Sequence, residues 1–172
     1  MSGKILAAAA VLGAVLAVAF VSTSGTQSGP AIPKPKINLA FVVDDMDGKK
    51  VDLSAYAGKP LLLNLWATWC GPCKIETPQL MALGEKYRAR GLALVGLNVD
   101  ETPEVVRAFA QELKVNYPML IGLNQKGLLE AVGYEGELPL SLLIKADGTI
   151  NEVVLGLHKT PEWERMIEAL FH

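Results

Sequence analysis

Two cysteines, Cys70 and Cys73, stand two residues apart between an apolar run and a helical pattern. The run LLLNLW over 61–66 follows Gly58-Lys59-Pro60 and holds one polar residue, Asn64, so it reads as a central strand buried on both faces. A helix is expected from about Cys73 towards Arg90, with Gly91 as its stop and Pro78 as a kink. A strand that passes into a helix through Trp69-Cys70-Gly71-Pro72-Cys73 commits the chain to an α/β arrangement.

The other elements fit that class. Phe41-Val42-Val43 and Val51-Asp52-Leu53 flank Asp47-Gly48 and read as an N-terminal β-hairpin. Residues 93–99 form a second buried strand. Thr102-Pro103-Glu104 starts a helix to about Leu113, with Thr as N-cap, Pro at the first helical position and an acid in the first turn. Thr160-Pro161-Glu162 repeats that signal before a C-terminal helix. Between them lie a short strand at 117–121, a weak helix at 128–132, and strands at 141–144 and 150–155 joined at Asp147-Gly148. The order βαβα, a small insertion, then ββα gives one α/β domain over 37–172 with a mixed central sheet covered on both faces.

Two segments of different composition precede the domain. Residues 5–21, ILAAAAVLGAVLAVAFV, are uncharged and follow Lys4. As a helix they would reach about 25 Å, near the lower limit for crossing a bilayer. A positive residue ahead of the run and none close behind keeps the N-terminus in the cytoplasm and sends the domain out, to the periplasmic side. Ala17-Val18-Ala19 has cleavage spacing, but Phe20 and Val21 still belong to the run, so residues 1–21 read as an uncleaved signal-anchor in the cytoplasmic membrane. Residues 22–36, STSGTQSGPAIPKPK, read as a tether, flexible first and then extended near its prolines.

Net charge is −2, and from residue 37 onward 13 basic residues face 18 acidic ones. No basic stripe offers itself to nucleic acid. The 136 residues of the domain can bury roughly two thirds of the unfolded chain's surface and hold a core without staples. The two cysteines are therefore free for chemistry, and the domain is expected to act as a monomer.

A bare C-x-x-C can be half of a zinc site, but no second pair exists and His158 and His172 lie far away in sequence. Two inert cysteines or a plain structural disulfide are the other simple readings, although a bridge across so short a loop gains little chain entropy. The remaining reading is a redox-active dithiol that uses no cofactor and no metal. Cys70 would sit beside unpaired helix N-terminal amides, which favour thiolate, and so become the attacking thiol. Cys73, less exposed, would then attack the mixed disulfide. Pro72 fixes the backbone, and Gly71 lets a partner chain approach.

LSAYAGKPLLLNLWATWCGPCKIETPQL, together with ELPLSLLIKADGTI, resembles the TlpA/ResA-like branch of the thioredoxin superfamily. These are membrane-tethered extracytoplasmic thiol-disulfide oxidoreductases that include cytochrome c maturation factors. The resemblance covers about residues 37–172. It implies a thioredoxin-like fold with an N-terminal hairpin and a small central insertion at 124–137. It also implies protein substrates with disulfides, apocytochrome c or copper-handling proteins among them, and a membrane thiol donor that returns electrons.

Glu76 follows Cys73 by three residues and shares a helix face with it. By itself it reads as an acid complementing the helix dipole. In the resembling family an acid at this position lies near the resolving cysteine, where a buried carboxyl with a raised pKa can take the Cys73 proton. Asn64 stands where ordinary thioredoxins carry a buried acid, which leaves that role to Glu76 and makes Asn64 structural. Leu138-Pro139 falls where the superfamily has a cis-proline: the Leu138 backbone would pair with an extended partner segment while Pro139 covers the cysteines and excludes metal. Pro118 competes for that place and is expected to be trans. Trp69 reads as a partly exposed apolar platform and Trp66 as core; Trp163 needs no functional reading.

Two other functions share the fold. A peroxiredoxin requires P-x-x-x-T-x-x-C, and this chain has Leu63 and Ala67 at those places. A Sco-like copper-binding chaperone requires C-x-x-x-C and a later histidine, for which His158 is the candidate.

Overall fold

The computed structural model describes residues 34–172. The expected anchor, and the tether as far as residue 33, lie outside the described residues. Among the described residues no helix is long and apolar enough to cross a membrane.

The hairpin pairs β1 (Val42–Asp44) with β2 (Lys50–Asp52). Its turn is held by the Asp45 carboxylate, which accepts the N–H groups of Asp47 and Lys49, and by Gly48 at φ +79°. Then follow β3 (Leu61–Trp66), α1 (Gly71–Arg88), β4 (Ala93–Asn98), α2 (Pro103–Leu113), β5 (Met119–Ile121), α3 (Lys126–Ala131), β6 (Leu140–Ile144), β7 (Ile150–Leu155) and α4 (Thr160–Glu168). The main sheet has the order β5-β4-β3-β6-β7. β3, β4 and β5 run parallel, whereas β6 and β7 are antiparallel additions. This is the mixed sheet of a thioredoxin-like fold.

β3 is central, and every one of its six residues is buried. Side chains alternate along a strand, so both faces of the sheet are covered there. α1 and α4 lie side by side, joined by Gln79 donating to Thr160 and by the pairs Lys86–Glu164 and Arg90–Glu168. α1 comes close to β4 at Gly84, where a Cβ would stand 2.8 Å from the Leu94 side chain. α2 lies against β5, and its Phe109 ring meets Trp66 at 4.5 Å. The hairpin covers the β5 edge, with Asp45 bridging Leu120 and the Met46 N–H donating to Met119 O.

Several boundaries differ from the sequence expectation. α1 begins at Gly71 rather than near Cys73 because Cys70 serves as its N-cap. The helix continues through Pro78, whose missing N–H leaves only the exposed Lys74 turn without an i+4 donor. Thr102 holds the N-cap position of α2 without a side-chain bond. The N-cap of α4 is Lys159 rather than Thr160, since the Thr160 hydroxyl accepts from Gln79 and the Glu162 carboxylate takes the Lys159 N–H at 2.8 Å.

Candidate active site

β3 delivers the chain to the sheet's end, and Ala67-Thr68-Trp69 carries it to Cys70. Cys70 and Cys73 are disulfide-bonded with Cα atoms 5.3 Å apart, so the structure is the oxidised form. Cys70 Sγ accepts the Cys73 N–H at 3.2 Å. A helix-terminal amide aimed at sulfur is the arrangement that stabilises thiolate once the bond is reduced. The expected contrast in access is small: Cys70 is 5% exposed and Cys73 is 2% exposed. Gly71 and Pro72 beside them are open to solvent.

The β3–β6 register pairs Leu65 with Leu140, so Leu138-Pro139 reaches the same end of the sheet from which Trp66 leads to Cys70. The Leu138–Pro139 bond is cis, as the resemblance implies, and among the described residues no other peptide bond is, Pro118's included. Pro139 is buried and its carbonyl accepts the Gly156 N–H at 2.8 Å. Trp66 is core, and Trp69 is 58% exposed with its indole N–H on Asp100 at 3.1 Å. Ile75 adds a further exposed apolar side chain on the next turn of α1. Trp163 is buried in the core.

Glu76 is not the exposed dipole-complementing acid of the simple reading. It is 1% exposed, and its Oε2 accepts from Asn64 Nδ2 at 3.0 Å while Oε1 has no partner. Burial raises its pKa to about 7, against the smaller lowering effect of the Asn64 bond. Asn64 also donates to Ser141 Oγ at 3.0 Å. Ser141 was not legible as a site residue, since nothing near it in sequence points to Asn64.

A second acid was also missed. Glu101 accepts from the Thr68 N–H at 2.7 Å, from the Thr68 hydroxyl, and from Asn98 Nδ2 at 2.6 Å, which ties the loop before Cys70 to the loop after β4. Parallel β3 and β4 pair Trp66 with Asn98, so the two loops leave the sheet together. A polar residue closing an otherwise apolar strand, Asn98, was the available signal.

Among the described residues no three of His, Cys, Asp and Glu converge as a metal-ligand set. His158 lies in the segment between β7 and α4, with Nε2 at 3.3 Å from Leu155 O and Nδ1 at 3.5 Å from Glu162. Leu63 and Ala67, at the peroxiredoxin pattern's Pro and Thr places, are fully buried core residues.

Residues 34–153 match the AhpC/TSA family. The chain is 39% identical over 130 residues to thiol-disulfide oxidoreductase ResA of Bacillus thuringiensis (strain Al Hakam), spanning 76% of this chain and 74% of that protein. It belongs to the ResA-like thiol-disulfide oxidoreductases. The ResA of Bacillus subtilis (strain 168) is 33% identical over 132 residues, covering 77% and 68% of the two chains. Among solved structures, the thiol:disulfide interchange protein of Chlorobium tepidum TLS superposes with a TM-score of 0.73 at 26% identity, over 83% of this chain and all of that one. The ResA-like chain is thus an enzyme of the thioredoxin superfamily whose chemistry is exchange between thiols and disulfides, and the TlpA/ResA resemblance holds.

Proposed function

We propose that the protein reduces disulfides of partner proteins outside the cytoplasm, with Cys70 as attacking thiol, Cys73 as resolving thiol and Glu76 as the holder of the Cys73 proton. One observation carries the reading: the Cys73 amide is on Cys70 Sγ, and one helical turn further on is a buried carboxyl with an open oxygen. Cys70 thiolate attacks one sulfur of the partner's disulfide, forming a mixed disulfide and releasing the other sulfur as thiolate. Cys73 then gives its proton to Glu76 and attacks Cys70 Sγ. The Cys70–Cys73 bond forms, the bond to the partner breaks, and the departing sulfur takes the proton. The partner leaves with two electrons gained, and a membrane thiol donor restores the dithiol. A carboxyl with a pKa of about 7 can take up and return a proton near neutrality.

Trp69, Gly71, Pro72, Leu138 and Pro139 form the proposed partner-binding surface. Among the described residues the Leu138 backbone makes no backbone hydrogen bond, which suits pairing with an extended segment. The apolar run at 5–21 after Lys4 supports a signal-anchor with the domain on the periplasmic side. Apocytochrome c and copper-handling proteins are the proposed substrate class, the disulfide is the sole redox group, and the working unit is a monomer.

Trapping tests the reading. Full-length Cys73→Ser, expressed in its own compartment, should accumulate thiol-reducible adducts on Cys70 with exported cysteine-pair proteins, in the membrane fraction. Adducts on Cys73 in a Cys70→Ser form would reverse the roles. A soluble product beginning between Phe20 and Thr26 would show that the segment is cleaved.

A further inference from the structure

Asn64, Glu76 and Ser141 come from three elements, β3, α1 and β6, and are 2%, 1% and 1% exposed. Asn64 and Ser141 face each other directly in the β3–β6 ladder. Backbone register therefore sets their separation, and the Asn64 amide nitrogen lies 3.0 Å from both Ser141 Oγ and Glu76 Oε2. An amide nitrogen has two hydrogens, and both are used. A side-chain amide can turn either edge to a neighbour. Its NH2 edge stabilises a carboxylate, whereas its carbonyl edge repels one and welcomes the protonated acid. Ser141, accepting from the same nitrogen, pins the Asn64 side chain in place with its NH2 edge towards Glu76.

We propose that Asn64 and Ser141 are positioning residues that set the ionisation of Glu76, and through it the pH at which Cys73 resolves a mixed disulfide. This rests on Glu76 acting as the Cys73 proton acceptor. The groups around Glu76 leave Asn64 little competition. Cys73 and Thr77 share its helix, and the segment before β5 brings Tyr117, whose buried phenol is kept protonated by burial and by the Glu76 charge, against the lowering effect of the neighbouring Thr77 hydroxyl. Every ion pair among the described residues is at least partly exposed, and none includes Glu76. Two influences therefore decide its charge: desolvation, which raises the pKa, and the Asn64 hydrogen bond, which lowers it. Ser141 acts one bond further out, by holding the Asn64 amide in place against β6.

The experiment compares the wild-type chain with Asn64→Leu, Ser141→Ala, Ser141→Thr and Glu76→Gln. Two readouts are taken across pH 5 to 9: decay of a preformed mixed disulfide, and the carbon-13 carboxyl titration of Glu76 in the oxidised protein. Losing a hydrogen bond to a charged group should move both midpoints up by about one pH unit in Asn64→Leu. Below the midpoint that slows resolution about tenfold. Ser141→Ala should move them the same way by less, and Ser141→Thr, which keeps the hydroxyl, should restore them. A merely structural pair would lower the melting temperature and leave both midpoints in place, which overturns the proposal. The Ser141 variants decide alone if Asn64→Leu fails to fold. A Glu76→Gln profile that keeps the wild-type midpoint and rate would overturn the reading of Glu76 itself, and this inference with it. A slowed Glu76→Gln profile that has lost the wild-type midpoint, alongside unmoved Asn64 and Ser141 midpoints, would overturn only the positioning pair.

Discussion

Two glutamates flank the dithiol, Glu76 behind it and Glu101 beside it, and they are held in different ways. Glu101 is half-buried, and its two oxygens are engaged by three donors, two from Thr68 in the loop before Cys70 and one from Asn98 at the end of β4. Glu76 lies deeper, with one donor on one oxygen and none on the other. A carboxylate surrounded by donors is a clamp, since its bonds tie the Thr68 loop to the end of β4. A carboxyl that is desolvated with a single donor sits near the balance between its charged and neutral forms, so a small change nearby can move its proton. Residue type is the same; burial and donor number divide structural work from proton handling.

The largest effect should come from the sulfur chemistry that both acids serve. Cys70→Ser should bring insulin reduction to the uncatalysed background while the fold persists; residual turnover would mean that Cys73 attacks partners directly. Next, Glu76→Gln should slow resolution by about 10²-fold, the lower end for a positioned base, and leave the initial attack by Cys70 unchanged. Glu101→Gln should leave resolution within about twofold. Equal slowing in the two variants would erase the distinction between clamp and proton holder.

Stability should separate the two acids in opposite directions. Glu101→Ala strands the Thr68 N–H and the Asn98 amide, which should cost about 3 kcal/mol in denaturant unfolding. For Glu76 the folded pKa of about 7 lies above the ordinary 4.5. Between those values the folded protein holds a proton that the unfolded chain has lost, so this contribution is complete below about pH 4.5 and gone above about pH 7. Oxidised Glu76→Gln should then match wild type near pH 4 and exceed it by up to about 3 kcal/mol at pH 8. A variant less stable at pH 8 would show that the buried carboxylate is better stabilised than its single donor suggests.

The smallest effect concerns the exposed rim. Asp100→Ala frees the Trp69 indole N–H, and at so exposed a pair the stability change should stay under about 1 kcal/mol. Reduction of protein disulfides should weaken a few-fold while reduction of a small aromatic disulfide is unchanged. Equal loss on both substrates would place Asp100 in the chemistry rather than in the platform.

Much of this was legible locally. The alternation of apolar runs with capped helices, the Asp-Gly turns, and a C-x-x-C motif between strand and helix follow from side-chain period and backbone preference, which neighbours in sequence encode. The resemblance added Leu138-Pro139 and Glu76. The start of α1 was misplaced because a sulfur, Cys70 Sγ, serves as the cap by accepting the Cys73 N–H, and the start of α4 because the Thr160 hydroxyl accepts from Gln79 on another helix.

The amino-acid sequence by itself determined an α/β chain with a thiol pair at a helix N-terminus, because hydrophobic period and turn chemistry are read within a few residues. Only the tertiary structure decided that Glu76 is buried rather than solvated, that Ser141 meets Asn64 across 77 residues, and that Glu101 holds the Thr68 loop. These depend on strand register, where a shift of one residue turns every side chain to the opposite face. Desolvation and donor number, which decide where a proton rests, arise only once that register has closed the core.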